Sequence, residues 1–367
     1  MELEGQSFSV QPFVAGGIQP FNTPVEEFSY RKINNESEVE ITKYNGTDKE
    51  IEIPATIEGL FVTTIGREAF MNKSLTSIKL PDSVTTIGWQ AFRNNELKNI
   101  DLPNNLKQID STAFYENKLE EIVFPNSVES VSSAAFAQNN LTKVTIPDSI
   151  TNMESNPFYG NPDVTFEATG TEYDVGEGNY LRRGTGLIAG NGTGEIPNGV
   201  TSIGSSAFAN NELTKVTIPD SVQFIGYNAF FNNKLEEVII PQRVTSIRTG
   251  AFGQNDLTDV TILNSDVYIY GTAFSGNQTN PADLTIEGYV HSTAETYATN
   301  HSHTFVPFPE VIVDDAALPI QLGQFIGVKD PDDNLVANLQ IPNTVQPDNA
   351  LDIATLEVKA VDPIIAT

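Results

Sequence analysis

Few side chains in this 367-residue chain are equipped for chemistry: it has no Cys, three His and one Trp. Without thiols there are no disulfides, thiolate nucleophiles, iron–sulfur clusters or thiolate zinc sites. His291, His301 and His303 could approach a metal. They fall in a stretch read below as a terminal cap, and a solvated cap surface is the preferred reading. Asp330, Asp332 and Asp333 supply the oxygen ligands that Ca²⁺ takes, although Asp330-Pro331-Asp332-Asp333-Asn334 is equally good turn chemistry. The glycines between residues 184 and 194 superficially resemble a phosphate loop. They lack the Gly-Lys-Ser/Thr ending, and no helical pattern follows. Neither His-Glu-x-x-His nor Gly-x-Ser-x-Gly occurs. We therefore assign no catalytic residue and no metal ligand, and expect no cofactor.

Charge narrows the partners. Twenty Lys and Arg face 48 Asp and Glu, a net charge of −28. Neutralising phosphates needs surplus cations, so nucleic acid is an unsuitable ligand, as is an anionic bilayer. No apolar run approaches the roughly 20 residues of a membrane helix. Residues 1–27 read as an irregular leader without a charged-then-apolar secretory signal. Either the protein stays inside the cell or a signal has been removed. No anchor is read near Thr367.

The strongest pattern is internal. The Phe of an Ala-Phe pair recurs at Phe70, Phe92, Phe114 and Phe136, then as Pro-Phe at Phe158, each 22 residues after the last. The series resumes at Phe208, Phe230, Phe252 and Phe274 with the same spacing. One frame surrounds each: Leu97-x-x-Ile100-x-Leu102-Pro103-x-x-Leu106-x-x-Ile109-x-x-x-Ala113-Phe114. Three residues after the Phe stands Asn, at Asn95, Asn117, Asn139, Asn161, Asn211, Asn233, Asn255 and Asn277; Lys73 alone departs.

A period of this length marks a solenoid. Ile100 and Leu102 alternate with Asn99 and Asp101, as in a short half-buried strand, which Pro103 ends. Leu106 and Ile109 turn inward on a second extended segment. Ala then allows close approach and Phe fills the centre of the coil. An Asn column can donate and accept at once, satisfying backbone groups at each bend. A single coil buries too little apolar surface to offset its ordering entropy, so stability must come from stacked neighbours.

The run Ile-Pro-Asp-Ser-Val-x-x-Ile-Gly-x-x-Ala-Phe, from Ile218 to Phe230, resembles the BspA-type leucine-rich repeat of bacterial surface proteins. The resemblance spans about residues 28–306. That family commonly has 23-residue units with Cys near the Asn position; 22 residues and Asn here suit a thiol-free chain. The resemblance implies a mainly β solenoid, a right-handed leucine-rich-repeat coil of about nine 22-residue turns with a parallel sheet.

Residues 28–66 read as an N-terminal cap, with Val39-x-Ile41 and Ile51-x-Ile53 forming a hairpin around Asn45-Gly46. Residues 67–306 carry the repeats, an insertion near 167–195 and a C-terminal cap. Within the insertion the Gly-rich residues 180–195 read as a hairpin projecting from the coil. Leu284-x-Ile286 is read as the last strand, followed by a closing helix with Ala294, Tyr297 and Ala298 at helical spacing. Residues 307–367 read as a Pro-Phe-Pro linker and a small β-sandwich-like module, with strands at Val311-x-Val313, Phe325-x-Gly327, Leu339-x-Ile341 and Leu356-x-Val358. The run from Ala354 to Asp362 resembles a bacterial immunoglobulin-like module, short against a usual sandwich and so open to truncation.

What remains is binding. The residues flanking the middle apolar position of each strand face outward and form two columns. One holds Ser77, Asn99, Glu121, Lys143, Lys215, Glu237 and Asp259; the other Lys79, Asp101, Val123, Thr145, Thr217, Ile239 and Thr261. Glu121 beside Lys143, and Lys215 beside Glu237, read as opposite-charge neighbours. Val123 and Ile239 suit a partner, or answer only to β-propensity on a wet strand. Trp89 and Tyr227, three residues before a Phe, are either exposed anchors or local packing. The ligand-binding face is accordingly assigned to Asn99, Asp101, Glu121, Val123, Lys143, Thr145, Lys215, Thr217, Glu237, Ile239, Asp259 and Thr261.

The resemblance implies a non-enzymatic, secreted or wall-displayed bacterial protein. It implies adhesin-like binding of a protein or glycan on a host or neighbouring cell surface, fibronectin and fibrinogen being examples. The alternative is a structural stalk presenting another domain. An enzyme would need a deep pocket at the 180–195 hairpin with converging Asp, Glu or His. No direct membrane insertion is expected.

Overall fold

The computed structural model describes residues 23–153, 155–278 and 280–308, and the backbone of Phe325–Lys329 and Leu335–Gln340. The chain winds as a β-solenoid of about 12 turns. Nine of these carry the repeating Phe; the excess over the nine expected comes from a first turn built on Tyr44, an extra turn through Gly190, and the closing helix bearing Tyr297.

The Phe side chains form the spine. Phe70, Phe92, Phe114 and Phe136 stack with ring centroids 5.1 Å apart. Phe208, Phe230, Phe252 and Phe274 stack at 5.3, 5.0 and 5.4 Å. Each such contact contributes about 0.5–1.5 kcal/mol beyond its buried area. The preceding Ala is fully buried, and its carbonyl accepts the Phe N–H of the turn before, as from Phe70 to Ala91 at 2.8 Å. Pro157 takes the same place before Phe158, its carbonyl accepting the Phe136 N–H at 2.8 Å.

The Asn column ties successive turns together. Asn117 Nδ2 donates to the Phe92 and Phe114 carbonyls at 2.9 and 3.1 Å, while its Oδ1 accepts from the Leu97 N–H. Asn95, Asn139, Asn161, Asn233, Asn255 and Asn277 repeat this arrangement. In seven of the nine Phe turns two bends hold left-handed backbone, two residues before and two after the Phe, as at Thr112 and Glu116 (both φ 56°); the turns of Phe158 and Phe274 hold only the second, at Gly160 and Gly276. Only some of these positions are Gly, a strain the repeat pattern does not reveal.

The N-terminal cap differs from expectation. Its hairpin pairs Phe28–Ile33 with Glu38–Tyr44 around Asn34, Asn35 and Glu36, which hold φ of 50°, 57° and 63°. Asn45-Gly46 is not a hairpin turn: the Asn45 N–H donates to the Glu27 carbonyl, and the chain crosses to the coil's other side. There Glu50–Glu52 lies parallel to Ser77–Lys79. Glu38–Tyr44 then lies parallel to Leu60–Ile65, opening a ladder that continues through Thr86–Ile87, Gln108–Ile109 and Ser130–Val131.

The insertion repeats this device inside the chain. Tyr180–Arg183 pairs antiparallel with Gly186–Gly190, which lies parallel to Ser202–Ile203 and opens a second ladder ending at Tyr268–Ile269. The hairpin therefore does not project; it is built into the stack as an internal cap. Gly190 stands where Phe stands elsewhere, its N–H donating to the Ala207 carbonyl at 2.8 Å. Any Cβ there would overlap the Phe208 ring. Buried side chains consequently form two clusters, one running from Phe28 to Ala189 and the other from Tyr180 to Ala298.

At the far end the helix Thr293–His301 buries Ala294, Tyr297 and Ala298, and Ser292 caps it by accepting the Glu295 N–H. Tyr297 meets Phe274 edge-on at 5.7 Å and closes the spine. The strand Thr285–Gly288 is not the last: Thr304–Pro307 adds beyond it in parallel, taking in the start of the expected linker. Phe325–Lys329 and Leu335–Gln340 form an antiparallel pair. The remaining expected strands at Val311, Val313, Leu356 and Val358, and the Asp330, Asp332 and Asp333 cluster, lie outside the described residues. No helix among the described residues is long and apolar enough to cross a membrane.

Candidate ligand-binding surface

The outward columns exist, but not as one sheet. Glu121–Val123, Lys143–Ile146 and Thr165–Ala168 form one parallel ladder. Glu237–Ile240, Asp259–Ile262, Thr285–Gly288 and Thr304–Pro307 form another. Asn99 and Asp101 are exposed but belong to no strand, and Ile100 and Leu102 between them are only half-buried. Asn and Asp are poor strand formers, and there the ladder gives way to an open groove of about 380 Å³ lined by Asn99, Asp101, Glu121 and Val123 among others. Lys215 and Thr217 are also exposed outside any strand, beside the short run 191–196.

Within the ladders the side chains sit as the pattern requires. Val123 and Ile239 are 63% and 60% exposed. Thr145 and Thr261 lie in register beside them, half-buried. Lys143 lies in register with Glu121, yet its ammonium pairs at 2.9 Å with Glu167, in the first strand of the insertion. That Glu167 contact holds the Lys143 ammonium above its usual range. Lys215 and Glu237 are not paired, because residue 215 is outside the ladder. Glu237 instead lies in register with Asp259, two like charges that work against the strand pairing. The columns also extend to Thr165 and Glu167, which keep the 22-residue spacing and were legible from it, and to Thr285, Glu287, Thr304 and Val306, which a broken spacing hid.

Trp89 is half-buried, with the Arg67 guanidinium 4.0 Å above its ring, so it is local packing. Tyr227 is 49% exposed. His301 stacks on Tyr297 at 4.1 Å, and its Nδ1 and that of His303 meet the carbonyls of Tyr297 and Pro281. Among the described residues no three His, Asp or Glu stand together as a metal site would require.

The groups whose acidity is displaced move away from neutrality. Burial pushes Tyr44 and Tyr159 up to about 12. Asp174 is held below its usual range first by the Gly176 N–H and then, against desolvation, by Arg182. Glu58 is lowered by Lys32 and Tyr30. None of these is poised for proton transfer near pH 7. Beside the internal hairpin lies a cavity of about 270 Å³, whose lining among the described residues is Thr151, Met153, Ser155, Tyr173, Arg183 and neighbouring apolar, Gly and Ser residues.

The profile of the BspA type leucine rich repeat region matches residues 44–165 and 193–301 in six copies, more than half of the chain. The chain belongs to this family. Among solved structures it is similar to a leucine-rich repeat protein from Eubacterium ventriosum, at 18% identity over 75% of this chain and 81% of that one, with a TM-score of 0.58. That likeness shows the shared fold. A leucine rich cell surface protein from Faecalibacterium prausnitzii matches at 23% identity over 78% of this chain and 95% of its own, with a TM-score of 0.48. The pneumococcal vaccine antigen PcpA matches at 18% identity over 77% and 99%, with a TM-score of 0.44. No curated protein matches.

Proposed function

We propose that this chain is a non-enzymatic binding module, displayed outside the bacterial cell, that holds a protein ligand along the outward columns of its strand ladders. The observation that carries this reading is a pair of exposed aliphatic side chains set among acids. Val123 stands two residues from Glu121, and Ile239 two from Glu237 and beside Thr261, with Asp259 next to Glu237. Branched side chains on a wet strand favour β structure weakly, but adjacent like charges oppose it. Together they suit a ligand offering apolar side chains between cations. Display outside the cell follows from the surface-protein family that the repeat motif resembles, and the absence of Cys makes the fold indifferent to redox compartment.

The test is solid-phase binding of the full chain to purified matrix and secreted proteins, fibronectin and fibrinogen among them, with a glycan panel alongside. Binding to a protein that is lost in Val123→Ser with Ile239→Ser, and weakens as salt rises, is the expected result. Binding to nothing, or binding indifferent to both substitutions, refutes it.

A further inference from the structure

A second surface breaks the repeat more sharply than the outward columns do. In the ladder that starts at the internal hairpin, Phe224, Ser246 and Tyr268 occupy one register column on successive strands. The equivalent positions earlier in the chain are Thr64, Thr86, Gln108 and Ser130. Two residues further on, where Gly66, Gly88, Gly204 and Gly226 stand in other turns, this region carries Arg248 and Tyr270. Tyr227 completes the group. Strand propensity accounts for aromatic residues at 224 and 268, but not at 227 or 270, which lie beyond the strands.

These side chains converge. The Arg248 guanidinium lies 4.5 Å from the Tyr270 ring, 5.2 Å from Phe224 and 5.7 Å from Tyr227, and its Nη1 donates to the Tyr270 hydroxyl. Tyr268 and Tyr270 meet edge-on at 4.7 Å and 68°, making a corner. Tyr268 and Tyr227 are 62% and 49% exposed. In a chain of net charge −28, Arg31, Arg67, Arg93, Arg182 and Arg183 each sit against a carboxylate. Arg248 forms no ion pair among the described residues, and Phe224, Tyr227, Tyr268 and Tyr270 bring no anion to it.

We infer that Phe224, Tyr227, Arg248, Tyr268 and Tyr270 form a separate docking site for an acidic segment of a partner protein. Arg248, held by rings on several sides, offers its charge to one carboxylate of that segment. The Tyr268–Tyr270 corner receives the neighbouring aromatic or aliphatic side chain. Charge complementarity selects this occupant: the patch presents a cation without a counter-ion, opposite in sign to the columns around Val123 and Ile239. Tyr and Arg are also the residues that dominate binding energy at protein interfaces. The site goes beyond the column reading and uses none of its residues.

The test selects short random peptides, displayed on phage, against the intact chain and measures an enriched synthetic peptide by calorimetry. Peptides placing Asp or Glu beside Phe, Tyr or Leu are expected. Their affinity should fall at least about 10-fold in Arg248→Gln and in Tyr268→Ser, and be unchanged in Val123→Ser with Ile239→Ser. Tyr268→Ser replaces a mostly exposed ring, so its thermal midpoint should match the wild type and a folding defect would not mimic the loss. Enriched peptides without acidic residues, affinities indifferent to both patch variants, or glycan-array binding that alone depends on Tyr268 would each overturn the inference. Loss only in the Val123 and Ile239 variant would overturn it while leaving the column reading intact.

Discussion

Replacing Asn233 by Ala tests whether the Asn column, rather than the Phe spine alone, holds successive turns together. Asn233 is 6% exposed. Its Oδ1 accepts from the Asn211 and Leu213 N–H groups at 3.0 Å each, and its Nδ2 donates to the Phe208 and Phe230 carbonyls at 2.9 Å each. Truncation removes four hydrogen bonds and orphans the Asn211 and Leu213 N–H groups and the Phe208 carbonyl, while the Phe230 carbonyl keeps its bond from Asn255 Nδ2. At about 1 kcal/mol for each net bond, the loss is about 4 kcal/mol, with further loss where a group stays dry. Asn233→Asp keeps the acceptor but sets a carboxylate oxygen against two carbonyls. Its folded-state pKa must rise above the unfolded value, so its deficit is least below the unfolded carboxyl pKa and grows as pH rises through the folded one. Urea unfolding read by circular dichroism gives the stabilities, and amide exchange at Leu213 reports local opening if the stack does not unfold in one step. Asn233→Ala within about 1 kcal/mol of wild type, with Leu213 exchange unchanged, would refute the argument.

Other perturbations follow from the same geometry. Phe230→Ala empties the spine between two stacked neighbours and should destabilise by about 3–5 kcal/mol in urea titration. Gly190→Ala drives a methyl into the Phe208 ring, and a loss of about 1–3 kcal/mol is expected, with faster exchange at Ala207 and Phe208 than at Phe92. Thr112→Gly relieves a β-branched residue at φ 56° and should leave the protein unchanged or raise its thermal midpoint; a lower midpoint would count against strain there. Asp174 is lowered mainly by its Gly176 contact, so its support of the internal hairpin is complete above the unfolded carboxyl pKa and fades as pH falls through the lower folded value. Amide protection factors at residues 174 and 182, taken against the intrinsic exchange rate at each pH, should fall in acid, and Asp174→Asn should abolish that fall.

Sequence periodicity fixes what each turn does for itself. The 22-residue beat identifies which Phe, Ala and Asn are buried, because those roles depend on neighbours one identical turn away. The closing helix is equally legible: Ala294, Tyr297 and Ala298 state an apolar stripe within one local segment. Pairings across irregular stretches are another matter. Thr304–Pro307 adds a strand beyond Thr285–Gly288, Gly190 fills a Phe position, and the N-terminal hairpin turns at 34–36 rather than at Asn45-Gly46. Each depends on where an aperiodic segment rejoins the stack, and near-equal local turn signals do not decide that path. The aromatic cluster at Arg248 lay in register at 22-residue offsets, but its meaning needs distances. Only the folded stack shows that three rings surround one guanidinium, since side-chain convergence is a property of adjacent turns and not of either turn's own sequence.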